Sequence, residues 1–391
     1  MTTIKVFGEP LRNMEVGFSI PISSTTKTMT MIGSDRELAA FNRRIDIMSR
    51  PCEVKKNLTD FAYLRNTAGV ASSTNWLKRA DGSDSHYNSE DKNDYLQLTE
   101  IDNVNIKWSY DATADKMTVL FNFDTCTPPG YQRMFVENSK LMGRYDITYA
   151  NSTTCNCAKG CKQTDNNPNT DALSANVILS LIKTTNASLL SWTAWEISCL
   201  SWIMAMYYRT LDVPSQLGTG IQDGSQAAAA AYVNGTSDSL TTPHGKVSNG
   251  GAIRFMYIEN PYALRWMWGA GWRGENGTGY YVTDDIIANT AATMSTTVTG
   301  VKTHTYLTSL SSTYPKNVNN FGIGTETEGG FPDGQWSNTS TSRVFYAGGY
   351  SNAGALCGAF ARVVGVGASD SYWDRRGRCA LRKSVIERAS A

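Results

Sequence analysis

Helical periodicity is confined to two stretches of this chain, and that confinement limits its architecture more than any other feature. Residues 171–185 and 191–210 are the helix candidates. In the second, Trp195, Cys199, Trp202 and Met206 recur at helical spacing and mark one face. Leu200, Ile203 and Tyr207 make the opposite side apolar too, so this helix is expected to be enclosed on most sides. Thr170 or Asp171 is the expected N-cap of the first helix, and Ser191 of the second. From residue 211 onward Gly, Ser, Thr and Asn dominate. Short apolar patches such as RWMWGAGW, SRVFYAGGY and AFARVVGV read there as short strands held by long ordered loops. Before the helices, DYLQLTEI, VNIKWSYD and KMTVLFNFD alternate with period two and read as strands. No repeat of about 20–50 residues is present, which argues against a solenoid or propeller. The expected architecture is one α+β domain over residues 46–391, behind an extended or β arm at residues 1–45.

With 41% hydrophobic residues the chain can bury a sizeable core. Its 36 Lys and Arg against 35 Asp and Glu leave no net basic surface for phosphates, so a nucleic-acid partner is not expected. The N-terminus, MTTIKVFGEP, lacks the basic and apolar regions of a secretory signal. No apolar run approaches the roughly 18 residues of a membrane span, so membrane insertion is not expected. LLSWTAWEISCLSWIMAMYY, the most apolar segment, is interrupted by Glu196.

Catalytic signatures are absent. The three histidines, His86, His244 and His304, lie in polar segments, and no nucleophile elbow, phosphate loop or metalloprotease motif occurs. GWRGENGTG lacks the strand, helix and Lys that a phosphate cradle requires. Asp284 and Asp285 read as solvated turn charges. CNCAKGC supplies three thiols at residues 155–161 without a fourth ligand, so a polar loop of free or locally paired thiols is expected there rather than zinc. No metal and no cofactor is expected.

RFMYIENPYALRWMWGAG, residues 254–271, reads as a strand over Arg254–Ile258, a turn at Glu259-Asn260-Pro261, and then core tryptophans Trp266 and Trp268. This stretch resembles the strand-turn motif of the formylglycine-generating-enzyme branch of the C-type lectin fold. LLSWTAWEISCLSWIMAMYYRTLDVPSQLGTGI resembles the second helix of the same group. GGYSNAGALCGAFARVVGVGASDSYWDRRGRCAL, Gly348–Leu381, is similar to the variable region of phage receptor-binding proteins and other targets of diversity-generating retroelements. Gly348, Gly349, Gly354, Gly358, Phe360, Ser371, Trp373, Gly377 and Arg378 hold the pattern. Arg376 departs from it, standing where the family often has a small residue.

The resemblance implies a C-type lectin-like domain of short strands, two helices and long ordered loops, with a variable ligand-binding region at residues 343–381. In such regions the exchangeable positions derive from Asn codons randomised at their adenines. Here they are Tyr350, Ala353, Leu356, Ala361, Val363, Gly365, Val366, Asp370, Tyr372 and Asp374, all of them residues such codons can yield. Tyr among small residues and Asp suits a binding surface. Of these, Tyr350, Ala353, Leu356, Ala361, Val363, Val366, Asp370, Tyr372 and Asp374 are the expected ligand contacts. The glycines are expected to supply positive φ and close backbone approach, Phe360 and Trp373 buried area, and Arg378 donors for buried carbonyls.

What the resemblance implies for function is a non-enzymatic bacteriophage virion adhesin, a tail-fibre or head-fibre protein assembled in the host cytoplasm. Its expected partners are a host-surface protein or glycan, other virion proteins and its own copies, as a homotrimer. The arm would attach it to the virion or form the trimer. Two alternatives stay open. One is a virion decoration or connector protein with no receptor role. The other is a formylglycine-generating type of oxidase, for which Cys357 and Cys379 are the late-chain thiol pair.

Overall fold

Three helices of 11 to 15 residues pack among three sheets: α1 (Asp35–Ile47), α2 (Ala175–Thr185) and α3 (Ala194–Tyr208). The structure is a computed structural model that describes residues 15–64, 78–87, 90–162, 172–221, 226–283, 301–308, 314–327, 329–338 and 343–389. Mixed α+β architecture holds, but the two expected helices are joined by others. Besides α1 there are three short ones, α4 (Val213–Leu217), α5 (Gln226–Ala231) and α6 (Lys383–Ala389).

Sequence dictates α3 directly. Thr193 and Glu196 form a capping box at its start, and every residue from Ala194 to Met206 is buried. Ser191, the expected cap, instead lies in the strand Leu190–Ser191 opposite Cys379. The first expected helix begins later than its periodicity predicts, capped by Ser174, because the Ser174 hydroxyl accepts the Val177 N–H. Thr170 and Asp171 lie outside the described residues. Helix α1 lies where the sequence predicts an extended or β arm. A Ser34–Glu37 capping box starts it and Leu38, Phe41 and Ile45 bury one stripe, with arginines between them masking the period.

A five-stranded sheet joins Val16–Pro21, Thr30–Ile32, Asn105–Asp111, Lys116–Asn122 and Gln132–Arg133. Val16–Pro21 pairs antiparallel with Lys116–Asn122 along its whole length, and Phe18 packs against Phe121 and Trp202. Residues 16–47 therefore belong to the body of the domain, and the boundary expected near residue 45 does not divide it. Residues 1–14 of the expected arm lie outside the described residues.

A six-stranded sheet runs from Leu190–Ser191 through Cys379–Arg382, Ser139–Gly143, Tyr95–Asp102 and Ser49–Lys55 to Phe61–Tyr63. The third sheet has seven strands and carries the C-terminal region. Its order is Lys302–Thr305, Thr278–Tyr281, Trp266–Glu275, Arg343–Ala347, Arg362–Gly367 and Gln335–Ser337, with Arg375–Arg376 pairing parallel to the start of Trp266–Glu275. One face of it, with Met267, Trp272, Phe345 and Val364, shares a core with α1, α3 and the five-stranded sheet. The other, with Trp268, Val344 and Tyr346, shares a second core with α2 and the six-stranded sheet.

Strand Arg254–Ile258 is broken in the structure. Met256 and Tyr257 take φ of 51° and 60°, making a two-residue hairpin between Ile253–Phe255 and Ile258–Glu259. Trp266 and Trp268 are buried as expected. Among the described residues no helix is long and apolar enough to cross a membrane.

Candidate functional site

The Gly348–Leu381 stretch crosses the third sheet twice, and its frame is held mostly by backbone contacts. Gly349 has φ +81°, and a Cβ there would stand 2.4 Å from the Cys357 sulfur. Gly358 lies so close to Asp333 that a Cβ would stand 2.1 Å from its Oδ1. Only glycine fits either place. Phe360 is wholly buried against Trp202, with ring centroids 4.6 Å apart.

Buried guanidiniums do the rest. Arg378 donates to the carbonyls of Gly143 (3.2 Å), Arg144 (2.7 Å) and Glu259, and pairs with Asp146 at 2.8 Å. Arg376, the departure from the family pattern, forks onto both Asp146 oxygens at 3.1 Å and onto the Asn260 carbonyl. Arg362 serves the carbonyls of Phe321, Ala359 and Ala361 and the Ser201 hydroxyl. Burial pushes its guanidinium down to about 9. A planar fork of donors suits loop carbonyls that no strand or helix can satisfy, and each buried carbonyl left unpaired would cost about 1–3 kcal/mol.

On this frame sits a run of aromatic rings. Trp336 meets Trp266 edge-on at 5.2 Å, and Trp266 meets Tyr350 at 6.0 Å. Tyr350 meets Trp373 edge-on at 5.9 Å, and Trp373 meets Tyr372 at 6.2 Å. Trp266 is the buried root of the run, whereas Trp336, Tyr350 and Trp373 are half-buried and Tyr372 is 54% exposed. The backbone under Tyr372 is fixed, since its N–H and C=O exchange hydrogen bonds with Leu173 at 3.3 and 3.2 Å. Arg265 donates to the Trp373 carbonyl at 3.0 Å. Position is thus set by main chain while side chains point outward.

The expected ligand contacts divide around this ledge. Val363 lies beside Trp336 in the parallel pairing of their strands, and Val366 lies opposite Val344; both valines are half-buried. Asp374 is half-buried near Tyr350, and burial pushes its carboxyl up to about 6 against the pull of Arg375. Asp370 is exposed, but one of its oxygens accepts the Gly367 N–H at 2.7 Å and closes the turn. Ala353 and Leu356 stand apart. Ala353 packs against the α3 core and Leu356 lies against Gly334, at a short 3₁₀ turn. Gly365 is half-buried beside Asn338.

Two expectations are corrected. Ala361 is wholly buried in the second core, because its carbonyl must hold the Gly348 N–H and the Arg362 fork. Its side chain does not reach the surface. Trp373, expected in the core, is half-buried and belongs to the ledge. Trp336 and Trp266 were not expected at the site. Their approach depends on a parallel pairing and a crossover that no local pattern announces.

Several other chemistry-bearing groups are buried in the packing. Cys155, Cys157 and Cys161 are buried, and among the described residues no cluster of His, Cys, Asp or Glu suits a metal ion. Cys379 lies buried beside Cys157, and Cys357 donates to the Tyr350 carbonyl at 2.9 Å. Burial pushes the Cys357 thiol up to about 12, which keeps it protonated and unreactive. His304 sits among Trp272, Tyr281 and Phe321, and burial pushes its imidazole down to about 4. His244 packs on Phe255 and Tyr207 beside Asp46. Asp284 and Asp285 lie outside the described residues. No protein-family model matches this chain, and no curated protein matches it.

Proposed function

We propose that this chain is a bacteriophage virion adhesin, a tail-fibre or head-fibre protein that displays an exchangeable binding surface on a C-type lectin-like scaffold. One observation carries the reading. Buried arginines and main-chain hydrogen bonds hold the Gly348–Leu381 frame, while eight of the nine expected ligand contacts are exposed or half-buried. The aromatic ledge among them offers large, rigid contact area at low entropic cost. Its ligand is a host-surface protein or glycan, and no catalytic group or cofactor takes part. Assembly as a homotrimer multiplies weak contacts by avidity. The virion is where the protein resides, after assembly in the host cytoplasm.

The test is cell binding. Purified protein should adhere to host cells, and Tyr350→Ala with Tyr372→Ala should abolish adhesion while the fold is retained. Light scattering should give three times the chain mass. Adhesion undiminished in the double variant would sink the proposal, and labelling on the particle away from the fibre tips would favour a decoration protein.

A further inference from the structure

A cavity of about 550 Å³ lies on the far side of the loop that carries Ala355 and Cys357. Asp212 at the N-cap of α4, Tyr314, Phe331 and Asp333 form much of its lining. The volume falls within the roughly 300–1,000 Å³ of small-molecule sites. Its charge is one-sided, because two carboxyl groups line it and, among the described residues, no Lys, Arg or His does.

Asp333 is the unusual group. It is 1% exposed, and its Oδ2 accepts the Phe360 N–H at 2.6 Å. Its Oδ1 makes no hydrogen bond among the described residues. A carboxylate oxygen that lacks a protein donor in so buried a residue gains from a ligand that supplies one. The nearest cation, Arg362, is committed to three carbonyls and a hydroxyl. Burial, with Asp212 adding to it, raises the Asp333 carboxyl to about 7.

The chemistry narrows the guest. Like charge excludes anions. A hard metal ion needs about six oxygens, far more than two carboxylates supply. Aromatic rings beside carboxylates are the usual setting for an organic cation, whose charge meets the ring faces as well as the acids. We propose that this cavity binds a small alkylammonium ion, with Asp212 and Asp333 pairing its charge and Tyr314 and Phe331 flanking its chain. The proposal is independent of the adhesin reading, since none of these residues belongs to the aromatic ledge.

Titration calorimetry on the full chain above about pH 7, where the Asp333 carboxyl is ionised, tests it, with cadaverine as probe and 1-pentanol as its uncharged analogue. Cadaverine should bind saturably, and 1-pentanol about tenfold more weakly or not at all. Asp333→Asn should weaken cadaverine by about tenfold or more. Asp212→Asn, which keeps the helix cap, should weaken it about threefold. Ala355→Trp should block the cavity. If Asp333→Asn fails to fold, the other two variants decide. Cadaverine that does not saturate at about 10 mM, or that binds Asp212→Asn and Ala355→Trp as it binds the wild type, overturns the proposal. So does 1-pentanol binding as tightly as cadaverine.

Discussion

Helix α3 and the segment from Tyr350 to Asp374 are held in opposite ways. In α3 each side chain from Ala194 to Met206 is packed, so the sequence of the helix and the stability of the domain are one matter. In the later segment, buried contacts come from glycine backbones and from Ser351, Cys357, Ala359, Phe360, Ala361, Arg362, Val364 and Ala368, and most of the other side chains reach solvent. A region fixed by main chain can exchange its surface residues without unfolding. A region fixed by side-chain packing cannot. That contrast is what a variable binding surface on a stable scaffold requires.

The largest effect should come from α3. Trp202 packs against Phe18 and Phe360 and donates to the Asn320 carbonyl at 2.9 Å. Trp202→Ala should cost about 3–5 kcal/mol in urea unfolding. Arg378→Leu should cost about 3 kcal/mol, since it strands three buried carbonyls and takes one cation from Asp146. If Arg378→Leu were neutral, the frame would rest on side-chain packing after all, and the contrast with α3 would break.

A pH dependence sharpens the same point within the frame. Asp333 binds the Phe360 amide, and its folded carboxyl titrates near 7 instead of the ordinary 3.8 because burial disfavours the charge. Between about pH 4 and 7 the folded state keeps a proton that the unfolded chain has lost. Its contribution is therefore fully present below about pH 4 and is lost as pH rises through 7. The melting temperature of the wild type, taken relative to Asp333→Asn, should fall steadily across that window. A constant difference would show that Asp333 is not buried as drawn.

How much of this was legible depended on how local the cause was. Both expected helices exist, because apolar spacing is a short-range signal, while their caps fall on Ser174 and Thr193 instead of the expected residues. DYLQLTEI, VNIKWSYD and KMTVLFNFD became strands within two residues of their expected ends. Helix α1 was missed because three arginines and three acids interrupt its stripe. The turn at Met256 and Tyr257 was missed because neither residue favours positive φ. Expectations for single side chains were right for Phe360 and Arg378 and wrong for Ala361 and Trp373. Burial at those positions is set by which strand crosses next, and the parallel pairing of Trp336 with Val363 joins residues from separate segments.

Trp373 tests the corrected boundary between frame and display. Half-buried between Tyr350 and Tyr372, it should lose only about 1 kcal/mol on change to Ala. Ligand binding should fall about tenfold or more, as central aromatic residues of an interface behave. A loss of stability as large as that of Trp202→Ala would return Trp373 to the core.

Tyr372→Ala should give the smallest change in stability of all. Tyr372 is 54% exposed and, among the described aromatic residues, its ring touches only Trp373, while its backbone keeps both hydrogen bonds to Leu173 without the side chain. Substitutions of that kind fall within about 0.5 kcal/mol. Binding to host cells should nonetheless weaken, because an exposed tyrosine held on a fixed backbone gives contact area that needs no further ordering. Equilibrium unfolding and cell adhesion measured on the same preparation separate the two quantities. Should stability and adhesion fall together here, the side chain would be part of the frame, and the division drawn against α3 would fail at its most exposed residue.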